Sequence, residues 1–228
     1  MMPERPLRRI SYAILSLRRN DEVKLEDLHS LVKVSKDALR NALSYLDAQG
    51  IIKIINDNNI KVISPLNLAL LCLRLGMDER SVSKHLDWRD FEKFISKLLE
   101  YYDYLVYRNF RFSFKGKRYE VDVIGVSYTY SLIIDCKHWQ KVSPSKLHDV
   151  TLRHRERTEA LAKGYRGGWF DIRGLRRGSK LVPVLITLTS PRVPVINNVL
   201  IVPISMLKGF LDDIYGVIEE FNVEVFEV

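Results

Sequence analysis

From Tyr119 to Trp139 the chain reads Tyr-Glu-Val-Asp-Val-Ile-Gly-Val-Ser-Tyr-Thr-Tyr-Ser-Leu-Ile-Ile-Asp-Cys-Lys-His-Trp, a stretch that sets two carboxylates and a lysine on two predicted strands. Side chains alternate faces along a strand, so Asp135 and Lys137 share one face while Ile134 and Cys136 turn to the other. The polar turn around Ser127 to Ser131 folds the strands into a hairpin and carries Asp122 toward Asp135. Two oxygen ligands and one ammonium then converge. Magnesium is usually held by one or two carboxylates together with water and substrate phosphate, which suits Asp122 and Asp135, with manganese as a substitute and the backbone carbonyl of Cys136 as a third ligand. A cation there would activate water and offset charge on a scissile phosphate, and Lys137 would orient the nucleophile. The chemistry this predicts is phosphodiester hydrolysis.

An Asp-x-Lys on a strand is also commonly a solvated edge. Here both acids are embedded in apolar runs, residues 121–126 and 132–134, where an unpaired carboxylate is costly to bury and a metal would be a reason to keep it.

The pattern Glu92 on a helix, Asp122, then Asp135-Cys136-Lys137 resembles the PD-(D/E)XK nuclease superfamily. The wording Phe91-Glu92, Val-Asp-Val-Ile-Gly and Asp-Cys-Lys-His-Trp looks most like its Mrr-type restriction endonuclease and archaeal Holliday-junction resolvase branches, over roughly residues 86 to 165. The resemblance implies an α/β restriction-endonuclease-like core, a mixed central sheet flanked by helices. It also implies that Glu92, Asp122 and Asp135 bind the divalent metal while Lys137 assists the attacking water. Val121 stands where the motif's name has proline, and Asp135 replaces the commoner glutamate. Both departures keep the carboxylate.

Glu92 belongs to a predicted helix over residues 88–102 whose apolar stripe is Phe91, Ile95, Leu98 and Tyr102, and it sits at the border of that stripe. Glu100 and Glu120 are alternatives to it. Glu120 is the better of the two, because by alternation it shares a strand face with Asp122.

At 228 residues, 46% hydrophobic and 28% charged, the chain can bury a real core and suits two domains. Cys72 and Cys136 lie far apart in apolar settings, as reduced thiols of a cytoplasmic protein would, and no zinc motif accompanies them. The apolar runs at residues 10–17 and 66–73 are far shorter than the roughly 20 residues a membrane span needs, so no membrane partner is expected. The spacing of Leu7, Ile10, Ile14 and Leu17 favours an amphipathic helix over a signal core.

The net charge is +8, and its placement is more informative than its size. Between Arg108 and Lys180 stand 17 Lys and Arg against 7 Asp and Glu, whereas residues 181–228 carry 2 against 6. Basic charge surrounds the proposed centre and predicts a phosphate backbone as partner, in double-stranded or branched DNA. Lys146, Arg153, Arg155, Arg157, Lys163 and Arg166 are the candidate contacts, with Arg173, Arg176, Arg177 and Lys180 beyond them. The alternative is a solvated basic face, common in thermophile proteins.

Residues 1–64 predict a small winged helix-turn-helix domain. Helices fall at residues 7–17 and 24–33, and Ser35 caps a third whose stripe is Leu39, Ala42, Leu43 and Leu46 before Gly50. Two β-branched runs flank Asn56-Asp57-Asn58-Asn59 as a wing. The third helix would present Lys36, Arg40, Asn41, Ser44 and Tyr45 to DNA, although such domains also bind proteins. Residues 65–86 read as a helical linker, and residues 87–228 as the nuclease-like domain. In the latter, strands are expected at 105–114, 119–126, 132–137, 181–187, 199–203 and 223–226, with helices at 144–163 and 204–221. Residues 164–179, rich in glycine and arginine without periodicity, read as a mobile loop.

Two function classes follow: a metal-dependent DNA endonuclease, or a non-catalytic DNA-binding regulator that keeps a nuclease-like fold. Cutting both strands of a duplex calls for two centres, hence a homodimer, with residues 199–202 and the helix carrying Met206, Leu207, Phe210, Leu211 and Ile214 as its interface.

Overall fold

The computed structural model describes residues 3–139, 142–189 and 193–228. The chain divides into two compact units, one ending at Asp90 and the other starting at Phe91.

The first unit opens with α1 (Glu4–Leu17), which buries Leu7, Ile10 and Ile14 at helical spacing. A short strand β1 (Glu22–Lys24) precedes α2 (Leu25–Val32) and α3 (Lys36–Ala48). The Ser35 hydroxyl accepts from the Ala38 amide at 3.2 Å, satisfying an otherwise orphaned donor at the start of α3. Strands β2 (Ile52–Ile54) and β3 (Asn59–Val62) form a hairpin that β1 extends to a three-stranded antiparallel sheet, in the order β1, β3, β2. Asn56 Oδ1 ties the turn by accepting from the amides of Asn58 and Asn59, both at 2.9 Å. β1 escapes a sequence reading because three residues with one inward side chain, Val23, carry no countable alternation.

The stretch expected to connect the halves is instead built into the first unit. Ser64 caps α4 (Pro65–Arg74), which packs on α1 and buries Leu68, Ala69 and Cys72 completely. Asp78 caps the short α5 (Glu79–Ser83), and Val82 and Leu86 are also buried.

In the second unit α6 (Trp88–Tyr101) buries Phe91, Phe94, Ile95 and Leu99. The stripe is rotated from the expected one, onto Phe94 and Leu99, while Leu98 and Tyr102 stay half-buried. Three long strands follow, β4 (Leu105–Phe114), β5 (Lys117–Val126) and β6 (Tyr130–Lys137), each antiparallel to the next. Ser143 and Pro144 start α7 (Pro144–Arg166), the crossover that returns the chain to β7 (Lys180–Thr187), parallel to β6. A two-residue turn at Asn197 and Asn198, with φ of 50° and 62°, joins β8 (Val195–Ile196) to β9 (Val199–Pro203). β9 lies parallel to β7. The helix expected at 204–221 is broken into a 3-10 turn, α8 (Leu207–Asp212) and α9 (Ile214–Glu220). The break falls at Asp213, whose carboxylate caps α9 through the Gly216 amide at 2.9 Å. β10 (Phe226–Glu227) pairs with the start of β7. Among the described residues the result is a seven-stranded mixed sheet in the order β4, β5, β6, β7, β9, β8, with β10 on the β7 edge.

The core between α7 and the sheet gathers Val121, Ile124, Ile133, Leu161 and Leu181. It also holds Ile172 and Leu175, so the expected mobile loop is anchored. Tyr107 Oη donates to the Arg173 carbonyl at 2.7 Å and Tyr165 Oη to that of Leu175 at 2.6 Å. Gly164 is essential to this packing: a Cβ there would fall 2.5 Å from the Phe170 ring.

Candidate active site

The β5–β6 ladder runs through Val123 and Ile134, and the same register sets Asp122 opposite Asp135. There the pairing changes from backbone to side chain, for Asp122 Oδ2 accepts the Cys136 amide at 2.8 Å. Asn109, in the left-handed region at φ 51°, lies across from Asp122 on β4, between the ladder pairs Arg108–Val123 and Phe110–Val121. β6 stays paired with β7 beyond this point, through Lys137 and Thr187.

Lys137 Nζ stands 2.7 Å from Asp135 Oδ2 and 3.9 Å from Asp122 Oδ2, and it donates to the Cys136 carbonyl at 3.4 Å. The convergence expected of Asp122, Asp135 and Lys137 is therefore present, and it includes the Cys136 carbonyl. Arg157, expected among the phosphate contacts, points inward instead: its Nη1 donates to Asp135 Oδ1 at 3.0 Å. Asp135 is only 3% exposed and has both oxygens engaged by cations.

His154 escaped the sequence reading. It is fully buried on α7, and its Nε2 lies 2.9 Å from the Ile133 carbonyl. A carbonyl can only accept, so Nε2 carries the proton and Nδ1, which has no partner among the described residues, is the bare nitrogen. Burial pushes His154 down to about 4, so the ring is neutral near pH 7. Its role is to clamp β6 two residues before Asp135. A signal was present: Thr151, His154 and Thr158 form a polar stripe at helical spacing on a face that α7 must bury.

The charges are unevenly compensated. Burial alone would raise the Asp135 carboxyl, but the cationic field of His154 when protonated, of Lys137 and of Arg157 holds it below the usual carboxylate value. With His154 neutral, Lys137 and Arg157 supply that field. Asp122 is raised, by burial first and by Asp135 second. Glu92, half-buried on α6, is pushed up to about 7 by burial and then by Asp122, with smaller contributions from Glu120 and Asp135 against Lys137. Burial also lifts the Cys136 thiol well above its ordinary value, so it is no nucleophile at neutral pH.

No cluster of three or more His, Cys, Asp or Glu side chains is drawn tightly enough to hold an ion among the described residues. The donor set nevertheless fits a hard cation that keeps most of its waters. Asp122 and Glu92 are oxygen donors raised by burial first and by neighbouring carboxylates second, and the Cys136 carbonyl faces the same Lys137 ammonium that lies near Asp122. Asp135 could join only by exchanging its contact with Lys137.

Were Glu92 to hold a cation its carboxyl would have to ionise first, so on that reading magnesium affinity is expected to rise from about pH 6 to about pH 8, while Glu92→Gln binds more weakly and with a smaller rise. Calorimetric titration checks this, and an affinity independent of pH in the parent protein refutes it. In the cation-free protein the folded value of Glu92 lies above its unfolded one. Its stability contribution is therefore full below the ordinary carboxylate range and lost as pH rises through about 7.

The other expected contacts lie outside this centre. Lys36, Arg40, Asn41, Ser44 and Tyr45 are all exposed on α3, with Arg40 3.7 Å from Asp37. Lys146 lies over the Trp139 ring at 4.7 Å, and exposed Arg153 donates to the Asp149 carbonyl of its own helix. Arg155 pairs with Glu224 at 3.0 Å and Lys163 with Glu159 at 2.5 Å, while Arg166 is exposed. Of the residues expected at a two-fold interface, Leu207, Phe210 and Leu211 are buried within the unit and Met206 is exposed.

Residues 87–171 match the nuclease-related domain family, NERD. The matched stretch runs from the start of α6 through α7, so it contains Glu92, Asp122, Asp135, Lys137, His154 and Arg157. At the level of a nuclease-related domain it supports the resemblance to PD-(D/E)XK nucleases. An uncharacterized protein of Archaeoglobus fulgidus is 26% identical over 139 residues, 59% of this chain and 97% of its own length. Two solved structures are similar more loosely. Protein VC1899 from Vibrio cholerae shares 15% identity at a TM-score of 0.39, over 92% of this chain and 50% of its own. Can2 from Sulfobacillus thermosulfidooxidans, in complex with cyclic tetra-adenylate, shares 11% at 0.34, over 91% and 50%. This chain thus spans about half the length of each, and likenesses this loose carry no weight for fold or function. Among the described residues no helix is long and apolar enough to cross a membrane.

Proposed function

We propose that the second unit is a divalent-metal-dependent DNA endonuclease of Mrr or junction-resolvase type, and that the first is a winged helix-turn-helix module that anchors the duplex. The observation that carries the reading is Lys137, whose ammonium lies between Asp135 and Asp122 within a nuclease-related stretch. Asp122, Glu92 and the Cys136 carbonyl would hold magnesium or manganese, with Asp135 joining on release of Lys137. The cation would supply an activated water and neutralise charge on the phosphate. Lys137, once its contact with Asp135 is exchanged, orients the attacking water and adds positive charge at the phosphate. Arg157 keeps Asp135 ionised, and His154 fixes the strand that carries it. In the first unit the order α1, β1, α2, α3, β2, β3 supports the winged-helix reading, with the exposed side chains of α3 as the face toward DNA.

A second reading rests on the double engagement of Asp135 by Lys137 and Arg157, which would also suit a structural clamp in a non-catalytic DNA-binding protein. Incubation with linear, methylated and branched DNA in magnesium, manganese or EDTA separates them. The endonuclease cuts at least one substrate with metal and none in EDTA. A protein that binds all three and cuts none under any metal is the regulator.

A further inference from the structure

The β4–β5 hairpin continues past the level of Asp122, through the pairs Arg111–Glu120, Phe112–Tyr119 and Ser113–Arg118. At about 3.3 Å per residue, Glu120 is about 7 Å and Arg118 about 13 Å along the strand from Asp122. Between this outer hairpin and the chain that follows α7 lies a cleft of about 830 Å³, lined by both arginines and by Trp169 and Phe170. Its floor is aromatic. Phe112 and Tyr119 stack at 5.0 Å and 12°, and Phe170 lies 5.0 Å from Phe112. Arg111 and Arg118 line the cleft together with Glu120, which pairs with Arg111 at 2.8 Å, and the hairpin around it, residues 111–120, carries Arg111, Lys115, Lys117 and Arg118 against that single acid. The Lys117 ammonium sits 5.1 Å over the Tyr119 ring and that of Lys115 5.6 Å over Phe114.

Trp169 sets the purpose of the cleft. It is 59% exposed, so burial does not explain an indole here. Yet it is held in place, its amide donating to the Gly164 carbonyl at 3.0 Å and its ring edge-on to Phe114 at 5.4 Å. An exposed π-face with cations around it is how proteins grip an unpaired strand, by stacking a base and tracking its phosphates. A base inside a duplex has no free face to offer.

We propose that this cleft binds an unpaired DNA segment, one base stacking on Trp169 and the adjoining phosphates meeting Arg118 and, on exchange of its pair with Glu120, Arg111, so that the substrate reaches the centre as a frayed or branched strand. The claim that this strand is the one cut rests on the endonuclease reading; the binding does not.

The test is fluorescence anisotropy of the full chain in EDTA at one fixed salt concentration, with a labelled single-stranded oligonucleotide, its duplex, and RNA of the same sequence. Trp169→Ala is expected to weaken single-strand binding about tenfold and duplex binding less than about twofold, a stacking effect. Trp169→Phe, which keeps an aromatic face, should stay within about threefold of the parent on the single strand. Bound single strand should also quench the indole emission of the parent more than that of Trp169→Phe, since only the former has an indole in the cleft. Equal losses for single strand and duplex, no loss in Trp169→Ala, or equal quenching in the parent and Trp169→Phe would overturn the inference. Tighter binding of RNA than of DNA would overturn the assignment to DNA. Because no metal is present, selective binding without any cleavage in the metal assay leaves this site standing and removes the nuclease reading, and cleavage without selective binding does the reverse.

Discussion

Asp135→Asn and Lys137→Ala are each expected to lower the rate of metal-dependent DNA cleavage by roughly a hundredfold to ten-thousandfold, the range for losing a positioned group that handles the nucleophile or its charge. DNA affinity in the same variants should stay within about threefold of the parent. On the endonuclease reading, binding would be spread over many phosphates, whereas the chemistry would be confined to the array of Asp135, Asp122 and Lys137. Asp135→Asn keeps the shape of a buried side chain, and circular dichroism establishes that the fold survives. Lys137 is 24% exposed at its side chain, so its loss leaves Asp135 still paired with Arg157. Single-turnover cleavage in magnesium measures the effect. Both variants cutting at the parental rate would remove these residues from the reaction and leave the clamp reading in its place.

The centre was legible because its parts are close in sequence. Asp135, Cys136 and Lys137 are consecutive on one strand, and alternation plus one hairpin turn brings Asp122 to them. Arg157 and His154 stand 22 and 21 residues from the groups they contact, on a helix whose buried face is marked by the polar stripe of Thr151, His154 and Thr158 and not by an apolar one. Counting Arg157 with its surface neighbours was natural, since Arg153, Arg155 and Arg157 look alike as charges. The turn of α7 separates them: Arg153 faces solvent, Arg155 reaches Glu224, and Arg157 faces the sheet.

The fold divides in the same way. Long elements with clear caps, such as α3 behind Ser35 and α7 behind Ser143, lie within three residues of where composition puts them. Elements of two to five residues, β1, α5 and β8, have no periodicity to count, and the strand expected at 223–226 shrinks to β10 at Phe226–Glu227, where pairing with β7 fixes it. Residues 167–179 misled for a related reason. Two apolar residues, Ile172 and Leu175, anchor them among glycines and arginines, and composition counts the glycines and arginines.

Arg157 gives the largest expected change in stability. Removing one partner of a buried ion pair leaves the other charge uncompensated, at a cost of roughly 3–5 kcal/mol when nothing else reaches it. Here Lys137 still contacts Asp135, so Arg157→Ala should cost about 2–3 kcal/mol in urea unfolding of the cation-free protein at neutral pH. Arg153→Ala, on the exposed side of the same helix, should change stability by less than about 0.5 kcal/mol. Adding Asp135→Asn to Arg157→Ala takes away the charge that was left unpaired, and the double variant should recover more than about 1 kcal/mol relative to the sum of the single changes. The acid limb carries an independent sign. Asp135 lies below the usual carboxylate value in the folded protein, so its contribution is present above the ordinary carboxylate range and lost as pH falls through the depressed folded value. Without Arg157 that depression shrinks, and the loss of stability on acidification becomes shallower. Equal stability of the Arg157 and Arg153 variants, or strict additivity in the double variant, would mean that the contact with Asp135 is not maintained in solution, and Arg157 would return to the set of residues free to meet phosphate.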